Sequence, residues 1–422
     1  MAAAVASPPV TQPKYPARGS STRARAGLPP AILLGGEFIA VSAARSLARS
    51  GVRVHALGHH TDPVRASLAC HEFTAVGPRG RVVERSLAWL EHGPREGVVL
   101  PCDDEGVELV ARHRAQLEQW GYRAIDADDE VALAMLDKER TYALARGAEV
   151  PTPRTRRVAT LEDAGEAAAS LDFPCALKPV QSHVFARHFG ITRKLIVAAT
   201  RRELEAAFEE MLGLGIDMLA TEIIPGRDDQ FASYYTYMDH DGEPLFNFTK
   251  RKLRQFPPHF GLGTYHETTW DPEVAELGLH FFRSIALRGI GNVEFKRDSR
   301  DGRLKLIECN HRFTAATDQV RRAGIDLPLL AYNRVVGRPD PPLDRYRTGQ
   351  RLLLPAADLR AFLALRREGE ETTLGYLRSV LRPQHFPMLD LRDPMPTVAA
   401  LGVKIRRRRL KRARAAAGPT RG

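Results

Sequence analysis

Apolar and polar positions follow two rhythms along the first hundred residues. Residues 31–35 form a short apolar run of the kind buried in a parallel sheet. Residues 37–50 then place Phe38, Val41, Ala44, Leu47 and Ala48 at helical spacing and end at Gly51, a helix stop. A second strand is read over 52–57. Strand, helix and strand in that order predict a βαβ unit with parallel strands. Further helices are expected over 81–91 and 105–119, around a strand at 97–100. Asp103, Asp104 and Glu105 open the second helix, where acids cap free N–H groups and suit the positive end of the dipole.

The pattern changes after residue 125. One helix is expected over 126–146, with Lys138 inside it and Pro151 and Pro153 beyond its end; another covers 161–171. Residues 173–179 read as a short strand with Lys178 near its end, followed by a loop over 180–192 that carries His183 and His188. A strand at 194–197, a helix at 200–212 and an apolar strand at 218–224 come next, the last stopped by Pro225 and Gly226. Strands at 230–238 and 244–250 precede a basic stretch over 250–254, and a helix at 272–287 leads into residues 292–312.

Residues 292–312 predict a β-hairpin. Val293 and Phe295 flank Glu294 on its first strand. Leu304, Leu306, Glu308, Asn310 and Arg312 fall on one face of its second, because strand side chains alternate with period two. Asp301-Gly302 marks the turn. A three-residue loop, Arg300-Asp301-Gly302 with Gly302 left-handed, pairs Ser299 with Arg303 and sets Glu294 opposite Glu308. A two-residue Asp-Gly loop would set Glu294 opposite Cys309. The three-residue register is preferred because it gathers the polar groups. Carboxylates opposed across strands repel, and a divalent cation between them turns that cost into a site. Mg2+ takes oxygen ligands, commonly carboxylates together with substrate phosphates. Asn310 adds an amide oxygen, and Arg312 a fork for phosphate or carboxylate. The same residue types also suit an ordinary solvated hairpin.

The 422 residues, 43% hydrophobic and 27% charged, suffice for two or three domains and a large core. The net charge of +11 sits in the tails. Residues 1–28 hold Lys14, Arg18, Arg23 and Arg25 with no acid, and 397–422 hold nine basic residues with no acid, so the body between is slightly negative. Cys70, Cys102, Cys175 and Cys309 show neither Cys-x-x-Cys nor zinc spacing, which fits free thiols in a reducing cytoplasm. No apolar run reaches the roughly eighteen residues of a membrane-spanning helix. Residues 1–28 lack an apolar segment and read as a disordered basic extension rather than a secretory signal, with a transit peptide as the weaker option.

The order of these parts points to a function. Lys138 is followed by Lys178 at a strand end, then a loop, then an apolar strand ending Thr221-Glu222-Ile223-Ile224. A basic stretch with Lys252 and Arg254 follows, then Glu294 on one strand and Glu308-x-Asn310 on its neighbour. This set resembles the ATP-grasp superfamily over residues 30–340, nearest to the carboxylate–amine ligase branch that includes D-aspartate ligases and relatives of carbamoyl-phosphate synthetase.

The resemblance implies an α/β protein. A Rossmann-like pre-ATP-grasp domain would cover 29–125 and a two-subdomain ATP-grasp fold, an α+β domain, 126–340. A helical C-terminal extension would follow over 341–402, and a basic tail over 403–422. It implies ATP and Mg2+ (or Mn2+) as cofactors. Lys178 would reach the α- and β-phosphates, with Lys138 as the second nucleotide-binding lysine, since point cations suit polyphosphate. Thr221, Glu222, Ile223 and Ile224 would form the hinge that reads adenine. Glu294, Glu308 and Asn310 would hold the metal, and Arg312 the γ-phosphate or an acyl phosphate. Lys252 and Arg254 are expected to face phosphate or the substrate carboxylate, beside Gly261 and Gly263, which let a loop approach a ligand.

The implied reaction is ATP-dependent ligation of a small carboxylate to an amine through an acyl phosphate, achieved by positioning and charge stabilisation. The chain departs from the pattern in a glycine-poor loop after Lys178, in His311 where proline is common, and in Cys309 in place of an aliphatic residue. The alternative is a non-catalytic ATP-binding regulator or scaffold on the same fold. A Rossmann oxidoreductase is disfavoured, because Gly35-Gly36 is not part of a G-x-G-x-x-G.

Beyond 339–342, residues 358–367 and 373–381 predict two amphipathic helices, and 403–414 form a dense basic run. Clustered basic residues attract anionic lipid and RNA alike. Few aromatics interleave with them, so nucleic acid is the poorer reading. A peripheral contact at the inner membrane surface is favoured over a plain solvated tail, because amphipathic helices precede the run. An oligomer is compatible with the sequence.

Overall fold

The computed structural model describes residues 4–6, 27–77, 81–189 and 194–416. Most of the 1–28 extension and the end of the basic tail, 417–422, lie outside the described residues. Five parallel strands form the first sheet, in the order Glu72–Ala75, Val54–Gly58, Ala31–Leu34, Val98–Pro101, Arg123–Ala124. Ala31–Leu34 is central and buried throughout, which is why its sequence is an unbroken apolar run. Helices Glu37–Arg49, Val82–His92 and Asp104–Gln119 alternate with these strands.

The turn after Ala31–Leu34 bears on the oxidoreductase reading. Gly35 and Gly36 have φ of 65° and 88°. A Cβ on Gly35 would meet the Asp103 carboxylate at 1.8 Å, and Gly36 N–H donates to that carboxylate at 2.9 Å. An acidic side chain thus fills the space that a dinucleotide phosphate takes in a Rossmann turn. Asp103 also caps the next helix, accepting from Gly106 N–H at 2.8 Å, in keeping with the capping role its position predicts.

A four-stranded antiparallel sheet follows, in the order Thr155–Val158, Met218–Glu222, Cys175–Pro179, Ile196–Ala198. Helices Leu161–Ser170 and Arg201–Leu212 cover it through Ala164, Ala167, Phe208 and Met211. Ile223, Ile224 and Pro225 then lead to a six-stranded sheet. Its order is Leu304–Asn310, Gly289–Arg297, Phe231–Met238, Phe248–Phe256, Leu262–Thr269, Arg351–Leu353. Helices Lys138–Gly147 and Pro272–Ser284 pack on it through Tyr142, Phe281 and Phe282.

Four expectations change. Residues 126–146 are two helices, Asp129–Leu136 and Lys138–Gly147, because Asp137 is extended and caps the second by accepting from Arg140 N–H at 3.0 Å. Lys138 therefore opens a helix rather than lying inside one. The expected 180–192 loop is helical over Ser182–Phe189, with 190–193 outside the described residues. The basic stretch 250–254 is not a connection but the middle of the paired strand Phe248–Phe256. Past residue 341 the chain is not purely helical: Arg345–Arg347 pairs with Ala4–Ala6, and Arg351–Leu353 adds an edge strand to the large sheet. Helices Pro355–Arg367, Thr373–Val380 and Met395–Ala416 come after, the last running through the basic run. No helix among the described residues is long and apolar enough to cross a membrane.

Candidate functional site

The hairpin sets Glu294 opposite Glu308, as the preferred register requires, but by a different route. Asp298 N–H donates to Arg303 O at 2.9 Å, so the loop has four residues, 299–302, rather than three. Gly302 is left-handed, with φ 73°. The longer loop alone would have misaligned the carboxylates. A β-bulge at Ile307 restores them: Phe295 pairs with Leu306 and Glu294 with Glu308, leaving Ile307 as the extra residue. Its carbonyl accepts from Tyr142 OH at 2.9 Å, and Leu306 N–H donates to Pro151 O at 2.8 Å.

The bulge also corrects the expected faces. Side chains before it change parity relative to those after it. Leu304 and Leu306 therefore enter the core with Cys309, while Glu308 and Asn310 face the cleft with Glu294.

Asn292 lies two residues before Glu294, on the same strand face. Its Nδ2 donates to Tyr234 O at 3.2 Å, and its Oδ1 accepts from Asn310 Nδ2 at 3.1 Å. With its nitrogen engaged, Asn310 has its oxygen to offer the cleft. Glu308 carries a negative charge: burial alone would raise its pKa, but Lys194, Lys138 and Arg312 outweigh that and hold it below the usual range. Two carboxylates and one amide oxygen, with cations nearby for phosphates, form an all-oxygen donor set that suits Mg2+ or Mn2+.

Cations surround this point. Lys138 Nζ donates to Ser182 Oγ at 2.6 Å, and Lys178 stands on the neighbouring strand. Burial and the charge of Lys138 lower the Lys178 pKa to about 8. Lys252 Nζ lies 3.0 Å from Glu294 and 3.1 Å from Gln255 Oε1. Arg312 is held by Asp104 at 2.6 Å, so the acids at 103–105 do more than cap: one ties the first domain to the site. The His183 side chain, 8% exposed, lies 3.2 Å from Glu108, and this contact is the main cause that takes the Glu108 pKa down to about 2.

Two cavities meet at the hairpin. The smaller, about 90 Å³, is lined by Lys138, Lys178, Glu222, Ile223, Ile224 and Lys296. Lys296 Nζ donates to Ile224 O at 2.8 Å, fixing the connection between the sheets. Glu222 is buried among Arg154, Arg300 and Lys305, whereas the Thr221 side chain is fully buried and bonds the Glu222 carbonyl. The larger cavity, about 320 Å³, opens toward the first domain past Arg312, Asn310, Asn292, Lys250 and the Gly261–Gly263 turn. Lys252, Lys194, Glu294 and Glu308 line both.

Arg254 is a correction. It lines neither cavity. The bulged pairing of its strand with Leu262–Thr269 turns it to the opposite side, where it binds Asp358 at 2.7 Å and stacks on Tyr265 and Tyr376. Its guanidinium docks the C-terminal extension.

Sequence reasoning missed Asn292, Lys194, Lys250 and Lys296. Asn292 and Lys296 share the face of Glu294, so period two applied in both directions would have found them. Lys250 is fully buried, bonded to His266 Nδ1 at 3.2 Å and Ser233 Oγ at 3.4 Å, with a pKa of about 8 set mainly by burial. Its strand was read as ending there, which hid it. Lys194 had no local signal.

No family model matches the chain. D-aspartate ligase of Enterococcus faecium is 23% identical over 288 residues, covering 66% of this chain and 68% of that protein. D-alanine–D-alanine ligase of Pseudomonas entomophila is 26% identical over 218 residues, 47% of this chain and 63% of that protein. The chain thus spans about two thirds of the length of these relatives. Among solved structures, the biotin carboxylase domain of Hydrogenobacter thermophilus 2-oxoglutarate carboxylase, bound to MgADP and bicarbonate, superposes with a TM-score of 0.60 at 18% identity, over 76% of this chain and 73% of that one. The likeness covers the fold, and the two sequence relatives are ligases by name. The parallel sheet, the two antiparallel sheets with a cleft between them and these likenesses show the fold of the ATP-grasp superfamily, with sequence similarity to D-aspartate and D-alanine–D-alanine ligases.

Proposed function

We propose that the protein is an ATP-dependent ligase that activates a small substrate carboxylate as an acyl phosphate and joins it to an amine. The observation that carries this reading is the pairing of Glu294 and Glu308, with Asn310 beside them, where the two cavities meet. A nucleotide in the smaller cavity would have adenine at Ile223–Ile224 and its phosphates at Lys138 and Lys178. Its γ-phosphate would reach the junction, and the substrate would lie in the larger cavity. Glu294, Glu308 and Asn310 would hold Mg2+, which supplies Lewis-acid stabilisation of phosphate charge.

A substrate carboxylate oxygen attacks the γ-phosphorus. The bond to the β,γ-bridging oxygen breaks and ADP leaves. Lys252 and Arg312 steady the charge on the transferred group. The amine nitrogen then attacks the acyl carbon, phosphate departs, and the amine gives up a proton. Positioning and electrostatics suffice, with no covalent protein intermediate. The regulator reading finds little support in a chain whose acidic and basic groups are all present.

The test is ADP and phosphate release with Mg2+ against pooled amino acids and small carboxylic acids. Stimulation by one pool is expected. Failure of MgADP to bind would overturn the assignment.

Two further outcomes are expected. MgADP affinity stays level below about pH 8 and falls above it, because Lys178 then loses the proton that pairs with phosphate. Titration calorimetry across that range checks this, and Lys178→Arg should reduce the fall, with Lys296, which lines the same cavity and has a pKa of about 8, accounting for the rest. Asn292→Leu frees the Asn310 amide to turn, and should raise the Mn2+ concentration needed for half-maximal ADP release about 10- to 100-fold. An unchanged metal requirement would mean that Asn292 does not orient Asn310.

A further inference from the structure

The C-terminal extension has two features that the ligase reading does not use. One is a collection of exposed apolar side chains. Leu359 and Leu363 lie on Pro355–Arg367, Leu374 and Leu377 on Thr373–Val380, and Val398, Leu401 and Ile405 on Met395–Ala416. Spacings of three and four residues put each set on one face of its helix. Leu381, just past the second helix, is 81% exposed and Leu401 58%. Each stripe runs into exposed basic residues at its C-terminal end: Arg366 and Arg367, Arg378 and Arg382, Arg406 and Arg409.

The other feature is where the acids beyond residue 355 point. Asp358 and Glu371 pair with Arg254, and Glu368 and Glu370 with His259. Asp390 pairs with Arg49, and Asp393 with Arg45. Every one of these contacts faces the body of the protein. Residues 397–416 contain no acid. The exposed surface of these three helices thus combines apolar side chains with positive charge.

We propose that this surface lies on a bilayer rich in anionic lipid. The leucines would enter the boundary between headgroups and acyl chains, and the arginines would sit among the phosphates. Nucleic acid would use the arginines but not the leucine stripes, since it binds through phosphates and stacked bases. A neutral protein partner would use the leucines but leave the positive charge unmatched.

The test is co-sedimentation of the full chain with vesicles of phosphatidylcholine alone, and of phosphatidylcholine with about one-third phosphatidylglycerol. The anionic vesicles should carry the protein down and the neutral ones should not, with binding falling as salt rises. Leu401→Asp/Ile405→Asp and Arg406→Glu/Arg409→Glu should each weaken binding about tenfold or more. Circular dichroism and thermal midpoint should stay unchanged in both, since these positions are exposed. Absence of sedimentation at low salt overturns the proposal, as does parent-like binding by both variants. A leucine variant that halves the mass in light scattering but keeps vesicle binding would assign the surface to contact between copies of the chain. Displacement of the protein from vesicles by a short RNA, with the leucine variant binding like the parent, would assign it to nucleic acid. Either result also overturns the membrane assignment.

Discussion

Glu308→Gln lowers Mg2+-dependent ADP release by about a hundredfold to a thousandfold, the range seen when one preorganised charge-stabilising group is lost. The substitution keeps the volume and the strand pairing with Glu294 but removes a full negative charge. Lys138, Lys194 and Arg312 surround that charge. Without it they face one another with less compensation, and the donor set for a divalent ion loses one of its two carboxylates. Both effects act where phosphate charge develops, so kcat should fall more than KM for ATP rises. Steady-state ADP release with the activating pool, alongside calorimetric MgADP binding, checks this. A variant that retains a third of the parent activity would reduce the hairpin to an ordinary polar surface.

The second large effect concerns stability. Asp358→Ala should destabilise the protein by about 3–5 kcal/mol, because it leaves the buried Arg254 guanidinium without its bidentate partner and with only the longer contact to Glu371 at 3.8 Å. Both side chains are almost wholly buried, at 5% and 0% exposure, and the pair is bidentate at 3.0 and 2.7 Å. Thr264 Oγ1 also donates to Asp358 at 2.8 Å. Denaturant unfolding followed by circular dichroism measures the loss. Arg254→Met/Asp358→Leu should recover most of it, since an apolar pair of similar size removes both charges together. A loss below about 1 kcal/mol in the single variant would mean that water reaches the pair and screens it.

These two sites differ in how far they could be read in advance. The parallel sheet and the order of lysines and acids follow from local pattern, whereas the opposition of Glu294 to Glu308, expected from a three-residue loop, is produced by a four-residue loop and a compensating bulge. Arg254 could not be placed, because the residue that claims it stands 104 positions away and the strand between is bulged. Periodicity gives the parity of a side chain only until a bulge intervenes. The break at Asp137 was overlooked for another reason. An aspartate within a helical apolar stripe can cap a second helix as easily as sit on the surface of one, and the deciding hydrogen bond is to a backbone N–H three residues on. Lys250 was hidden because the strand 244–250 reads as ending there, whereas it runs over Phe248–Phe256 and pairs on both edges, with Phe231–Met238 and Leu262–Thr269.

The bulge at Ile307 has a consequence for how the protein can change over time. It divides one strand into a packing half and a chemical half that are out of phase, so Leu304 and Leu306 can drift among apolar residues without altering where Glu308 and Asn310 point. Single-residue insertions and deletions are not tolerated in the same way. Removing Cys309 would keep the hairpin paired and its composition nearly intact, yet would set Asn310 opposite Val293 and turn it from the cleft into the apolar core. In this strand, length is under tighter constraint than identity.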